Sequence, residues 1–302
     1  MNRQPLIWPN FYIVGAGKCG TTSVYQYLRK HPQVFFPEMK EPDYFMTAVE
    51  PPRFPKDDCM GNLEQYQKLY RKAAGYKAIG DGSTGYLWDR NAPKWIHEVC
   101  PHARIVVLLR DPIERAYSQY IMWAKDGTER STFAEAVRRD NSTLIKTRNW
   151  NESGPWMIVE LGMYFEQVLR FFETFGREQV GIYLYEDLVK DTQGVMSAIC
   201  RHIGVDPALL DLRELERTHN VGRVSRFKWL YWRARRTFPQ ARQKILPRFV
   251  NDWLRNSTLL YEKNPPRDED ATRYLQSIFE PDLCRLEELL GQKLPELRKS
   301  WI

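Results

Sequence analysis

The 302-residue chain has no apolar run approaching the roughly 20 residues that a membrane-crossing helix needs, and no internal repeat. Cysteine is scarce and unpaired. Cys19, Cys59, Cys100, Cys200 and Cys284 are scattered, odd in number and without metal-ligand spacing. That argues against a disulfide framework or a structural zinc site and suits a reducing compartment. Acidic side chains are outnumbered, 38 against 45 lysines and arginines, for a formal net charge of +7. A basic balance suits an anionic cofactor or acceptor, and equally a nucleic-acid or membrane surface. At 43% hydrophobic the chain can bury a sizeable core. Its alternation of strand-like and helix-like runs argues for one α/β domain over residues 1–302 with additions, not two independent domains.

The run Phe11-Tyr-Ile-Val-Gly-Ala-Gly-Lys-Cys-Gly-Thr-Thr-Ser23 is an apolar strand feeding a glycine-rich turn and then a helix start. Gly15, Gly17 and Gly20 allow backbone N–H groups to converge, and the N-terminus of a helix beginning near Thr21 favours an anion. The spacing approaches the Walker A pattern of Gly, four residues and Gly. That pattern continues with Lys-Ser or Lys-Thr, whereas Thr21-Thr22 follows here and Lys18 lies inside the turn.

A second segment, Ala103-Arg-Ile-Val-Val-Leu-Leu-Arg-Asp-Pro-Ile-Glu-Arg-Ala-Tyr-Ser-Gln-Tyr120, opens with the continuous apolar run Ile105 to Leu109 of a strand covered on both faces. Asp111 reads as an N-cap and Pro112 as the first helical residue, which leaves Arg110 at the strand's carboxyl edge, where open α/β sheets bind ligands. In a nucleotide triphosphatase that strand would end in an aspartate for Mg²⁺; an arginine there suits bidentate grip on a phosphate. Ser118, two turns into the helix, can add a hydroxyl.

Together these segments resemble the sulfotransferases that use 3′-phosphoadenosine 5′-phosphosulfate (PAPS). The likeness extends to His31-Pro-Gln-Val34, Lys40-Glu-Pro-Asp-Tyr-Phe45, Gly80-Asp-Gly-Ser-Thr-Gly-Tyr-Leu87, Tyr185-Glu-Asp-Leu188 and a tail ending near Trp301, so it covers nearly the whole chain. The arrangement is most similar to the branch of bacterial and heparan-sulfate-modifying enzymes. The resemblance implies a P-loop-like parallel β-sheet flanked by helices, with helical or irregular C-terminal additions. It further implies that Lys18, Cys19, Gly20, Thr21 and Thr22 hold the 5′-phosphosulfate, that Arg110 and Ser118 hold the 3′-phosphate, and that the product is the desulfated nucleotide PAP, without a metal. The late cofactor loop is matched only loosely, by Asn220-Val-Gly-Arg-Val-Ser-Arg226, with Arg223, Ser225 and Arg226 as the contacts. Gly82 stands where the heparan-modifying enzymes carry a lysine.

In-line sulfuryl transfer requires charge stabilisation on the bridging oxygen, which suits Lys18, and removal of a proton from the acceptor. The family branch uses a glutamate after the second strand, which maps onto Glu41; Asp81 is expected to assist it or to contact the acceptor. The rival bases are His31, His97, His102, His202 and His219, none in a motif matching the catalytic histidine of the cytosolic branch. A small-molecule or glycan hydroxyl or amine is the expected acceptor, with no nucleic-acid partner and no stable membrane insertion. A P-loop kinase and a non-enzymatic basic binding module are the competing readings. Taken as full length, the chain reads as cytoplasmic; taken as trimmed, it reads as a Golgi luminal domain.

The remaining pattern predicts helices over Thr22–Lys30, Asn62–Lys72 and Gly162–Phe175, and strands over Val34–Phe36, Tyr76–Gly80 and Val180–Tyr185. It also predicts a helix over Glu269–Leu290 broken at Pro281. The aromatic and arginine-rich stretch Arg226 to Leu260 fits neither period; with its approach, about residues 218–260, it is the candidate cofactor- and acceptor-covering insertion.

Overall fold

The computed structural model describes residues 6–46, 63–125, 129–147, 158–211, 224–225, 261–262 and 267–301. Five strands, β1 (Phe11–Gly15), β2 (Val34–Phe35), β3 (Ala78–Asp81), β4 (Arg104–Leu109) and β5 (Val180–Leu184), form one sheet in the order β2-β3-β1-β4-β5. Every pairing in it is parallel. A parallel sheet covered on both faces calls for unbroken apolar strands, and from Ile105 to Leu109 no side chain of β4 is exposed. Burying each such aliphatic side chain contributes about 1.5–3 kcal/mol.

The helices used below are α1 (Thr21–Leu28), α2 (Leu63–Leu69), α3 (Ala92–Val99), α4 (Pro112–Lys125), α5 (Phe133–Thr147), α6 (Tyr164–Phe175), α7 (Tyr185–Lys190), α8 (Thr192–His202) and α9 (Glu269–Leu290). α6 buries Tyr164, Val168, Phe171 and Phe175, which recur at helical spacing. A second buried cluster joins α4 and α5 to Ala271, Leu275 and Phe279 of α9, and Trp301 packs against both clusters.

Two differences from the sequence reading have physical causes. α9 runs unbroken through Pro281. Phe279 and Leu283 on either side of the proline are wholly buried, and Asp282 accepts a hydrogen bond from the Phe165 N–H at 3.1 Å. Tertiary contact on both flanks thus offsets the lost backbone bond. β3 spans Ala78–Asp81 where the sequence pattern predicts Tyr76–Gly80; it starts two residues later and ends at Asp81, which pairs in register with Tyr12.

Consecutive crossovers from β1 lead first towards β3 and β2, then back across to β4. The switch point therefore lies between β1 and β4, at whose carboxyl ends a ligand crevice forms in open α/β sheets. The glycine loop leaves β1, Glu41 follows β2, the 82–91 loop leaves β3, Arg110 follows β4 and Tyr185 follows β5. Every segment singled out for phosphate or acceptor chemistry in the described residues up to 185 thus arrives at one edge.

Candidate active site

Sterics dictate the glycines of the first loop. Gly15 has φ 151°, and a Cβ there would stand 2.7 Å from the Cβ of Leu87. Gly20, at φ 83°, precedes α1 with no side-chain cap, and a Cβ would meet the Tyr185 ring at 2.9 Å. The loop therefore presents bare backbone at the start of a helix, the cradle an anion needs. Lys18 itself adopts a left-handed φ of 71°, with its Nζ 3.2 Å from the Met122 sulfur on α4. Cys19 is buried, and burial pushes its thiol up to about 11, so its part in the loop is packing rather than thiolate chemistry. Thr21 is buried and Thr22 exposed in the first turn of α1.

Arg110 closes the crevice from the β4 side. Its Nη1 donates to the carbonyl of Lys18 at 3.4 Å, its Nη2 to Glu114 Oε2 at 3.1 Å, and its guanidinium lies 4.6 Å from the Tyr185 ring centre. The Arg110 Nε is buried without a hydrogen-bond partner, a donor that an anion can satisfy. Tyr164 Oη donates to the Arg110 carbonyl at 2.8 Å and lies 3.7 Å from the Cys19 sulfur, so one phenol fixes both the end of β4 and the glycine loop. Glu114 Oε1 also forms an ion pair with Arg267 Nη1 at 2.6 Å. Ser118, half-buried, sits one helical turn beyond Glu114 on the same face of α4.

Glu41 stands on the loop after β2. Its Oε1 accepts from Lys40 Nζ at 2.6 Å and from Thr84 Oγ1 at 3.1 Å, and its side chain is 30% exposed. The Thr84 hydroxyl lies 4.0 Å from where a Cβ on Gly17 would stand, so it places the glutamate close to the glycine loop.

Asp81 departs from the expectation of an acceptor contact. It has no exposed surface, and burial pushes its carboxyl up to about 7. Oδ1 accepts from the Ser83 N–H at 3.0 Å and the Ser83 hydroxyl at 2.6 Å, and Oδ2 from Tyr66 at 2.8 Å and Tyr86 at 3.1 Å. A carboxylate so enclosed cannot touch an acceptor.

The described histidines sit away from this edge. His31, before β2, has Nε2 2.8 Å from the Asp206 carbonyl and Nδ1 accepting from the Gln33 N–H. His202 contacts the carbonyl of Ile105, near the start of β4, and burial pushes it down. His97 ends α3 against Phe175, and His102 precedes β4 on the surface. His219, Arg223 and Arg226 lie outside the described residues, as do Cys59 and residues 226–260 of the expected insertion. Ser225 is described only in its backbone, in the short strand β6 (Val224–Ser225). This strand pairs antiparallel with β7 (Tyr261–Glu262) and packs against α4.

Tyr164, Tyr185, Thr84 and Arg267 join the site without being among the residues that the sequence pattern singles out. Tyr185 and Thr84 stood inside quoted motifs at strand ends, so the rule that ligands gather at carboxyl edges would have found them. Arg267 carries no local signal, because Pro-Arg-Asp reads simply as the approach to α9.

Glycine loop, arginine and glutamate on one edge of a 2-3-1-4-5 parallel sheet define a nucleotide-dependent transferase fold, and residues 9–208 match the sulfotransferase family. The chain belongs to that family. It is 27% identical over 248 residues to human carbohydrate sulfotransferase 15, covering 66% of this chain and 44% of that protein. It thus spans under half the length of that relative. Human heparan sulfate glucosamine 3-O-sulfotransferase 6 is 24% identical over 288 residues, covering 94% of this chain and 72% of that protein. A crystal structure of a sulfotransferase from Alicyclobacillus acidocaldarius superposes with a TM-score of 0.70 at 26% identity, covering 97% of this chain and 99% of that one.

Proposed function

We propose that the chain transfers the sulfuryl group of PAPS in-line to a hydroxyl or amine of a carbohydrate acceptor, with Glu41 as the general base. The observation that carries this reading is the Thr84 bridge, which puts the Glu41 carboxylate beside the loop suited to the phosphosulfate. Bare backbone at Gly15–Gly20, together with Lys18, fits the 5′ end of the nucleotide. Arg110 with its unpartnered Nε, Ser118 and, beyond the sequence reading, Arg267 fit the 3′-phosphate.

Glu41 accepts the acceptor proton as the acceptor oxygen or nitrogen attacks sulfur, while Lys18 stabilises charge growing on the bridging oxygen of the leaving nucleotide. Lys40, paired to Glu41 at 2.6 Å, aims that carboxylate. Glu114 holds the Arg110 guanidinium through Nη2 and leaves Nε for the 3′-phosphate. The relatives named for carbohydrate and heparan sulfate sulfation favour a glycan acceptor over a small metabolite.

A kinase reading would want a metal-binding carboxylate at the end of β4, where Arg110 stands. The test is calorimetric competition of PAP against ATP, joined to a screen of desulfated glycans with labelled PAPS. Tighter binding of PAP and label transfer to a glycan support the proposal; tighter ATP binding with a strict Mg²⁺ requirement overturns it.

A further inference from the structure

The loop that carries Glu41 is held against the loop after β3. Residues 41–46 form no helix or strand, and Asp43 sits at a φ of 54°, in the left-handed region that non-glycine residues seldom adopt. The N–H of Asp43 donates to Ser83 Oγ at 3.0 Å, and that of Phe45 to the Tyr86 hydroxyl at 3.3 Å. A hydroxyl has one proton to give, and here both protons go to Asp81, Ser83 Oγ to Oδ1 at 2.6 Å and Tyr86 Oη to Oδ2 at 3.1 Å. The buried carboxylate thereby turns the lone pairs of both hydroxyls outward, towards the loop N–H groups. Tyr66 adds a third arm: its hydroxyl donates to the same Oδ2, while its ring stacks on Tyr44 of the loop with centroids 4.3 Å apart at 15°. Gly82 completes the fit, since a Cβ there would stand 3.2 Å from the Lys40 carbonyl.

We propose that Ser83 and Tyr86, oriented by Asp81, are positioning residues for Glu41, locking the loop after β2 onto the loop after β3 so that the carboxylate meets the acceptor in register. The inference rests on Glu41 being the base. It makes Asp81 effective in catalysis at a distance, through two hydroxyls and two backbone amides.

The test uses the full chain and a glycan that the wild type sulfates in the screen above. Ser83→Ala removes the Asp43 arm. Tyr86→Phe removes the Phe45 arm and one of the donors to Asp81 but keeps the ring, so it carries the test should Ser83→Ala fail to fold. Each variant should exchange the amides of residues 41–46 faster with deuterium, lose about tenfold in kcat, and bind PAP unchanged, because a base misplaced by a fraction of an ångström still leaves the phosphate loop intact. In a Glu41→Gln background the same substitutions should cost almost nothing further, whereas a purely structural role would cost as much in both backgrounds. Unchanged exchange over 41–46, or an unchanged kcat despite faster exchange, overturns the proposal. Full turnover by Glu41→Gln alone instead sinks the base assignment; a slow Glu41→Gln beside normal Ser83→Ala and Tyr86→Phe sinks only the positioning role.

Discussion

Asp111 Oδ2 accepts a hydrogen bond from the backbone N–H of Ser300 at 2.8 Å, joining positions 189 residues apart. Its Oδ1 accepts from the N–H groups of Ile113 at 2.9 Å and Glu114 at 3.2 Å, capping α4. One buried carboxylate therefore starts the helix behind Arg110 and fastens the C-terminal tail to it. Asp111→Ala is expected to destabilise the chain by about 2 kcal/mol, the sum of a lost N-cap and an orphaned tail amide. Urea unfolding checks this, and a midpoint equal to wild type would mean that neither the cap nor the Asp111–Ser300 contact contributes to stability.

Arg110→Ala should weaken PAP binding by about 2–4 kcal/mol, the range for a charge-assisted phosphate contact left unmade. Adenosine 5′-phosphate, which lacks the 3′-phosphate, should bind wild type and variant alike. Calorimetry with both nucleotides decides, since an equal loss for both would place Arg110 elsewhere on the ligand.

Lys18→Ala should reduce kcat more than PAP affinity, because charge on the bridging oxygen grows only during transfer. Parallel losses in the two measurements would make Lys18 an anchor and no more.

Glu41→Gln preserves shape and both neighbours while removing the proposed base. The expected loss in kcat is about 10²–10⁴-fold, with PAP affinity and melting temperature nearly unchanged. His31 and His202 are held at the opposite edge of the sheet, so their substitution should affect stability before rate. A fast Glu41→Gln variant would contradict this ordering.

Stability should fall as pH rises from about 5 to 7.5. Burial pushes Asp81 and Asp140 up to about 7 and Asp282 up to about 6, against roughly 3.9 for an aspartate in the unfolded chain. In this window the folded state holds more protons than the unfolded one. Their stabilising contribution is complete below the unfolded value and is lost as pH climbs through the folded values. Urea midpoints across that range check the sign, and a midpoint rising with pH would refute it.

How much was legible before folding depends on the range of the interaction. Phe11–Gly20 and Ile105–Pro112 declared their strands, turns and helix starts locally, because a left-handed glycine, an N-cap aspartate and an unbroken apolar run act within a few residues. Pro281 misled for the same reason: its local cost is real, and only Phe279, Leu283 and Asp282 packed against other elements outweigh it.

The amino-acid sequence by itself determined the glycine loop, the arginine at the strand end and the α/β alternation, all set by backbone sterics and side-chain periodicity. Only the tertiary structure decided that Asp81 turns inward to Ser83, Tyr66 and Tyr86, that Thr84 meets Glu41 and that Arg267 meets Glu114. Those contacts arise where parallel strands distant in the chain deliver their ends to a common edge, and no local preference encodes which side chains then face one another.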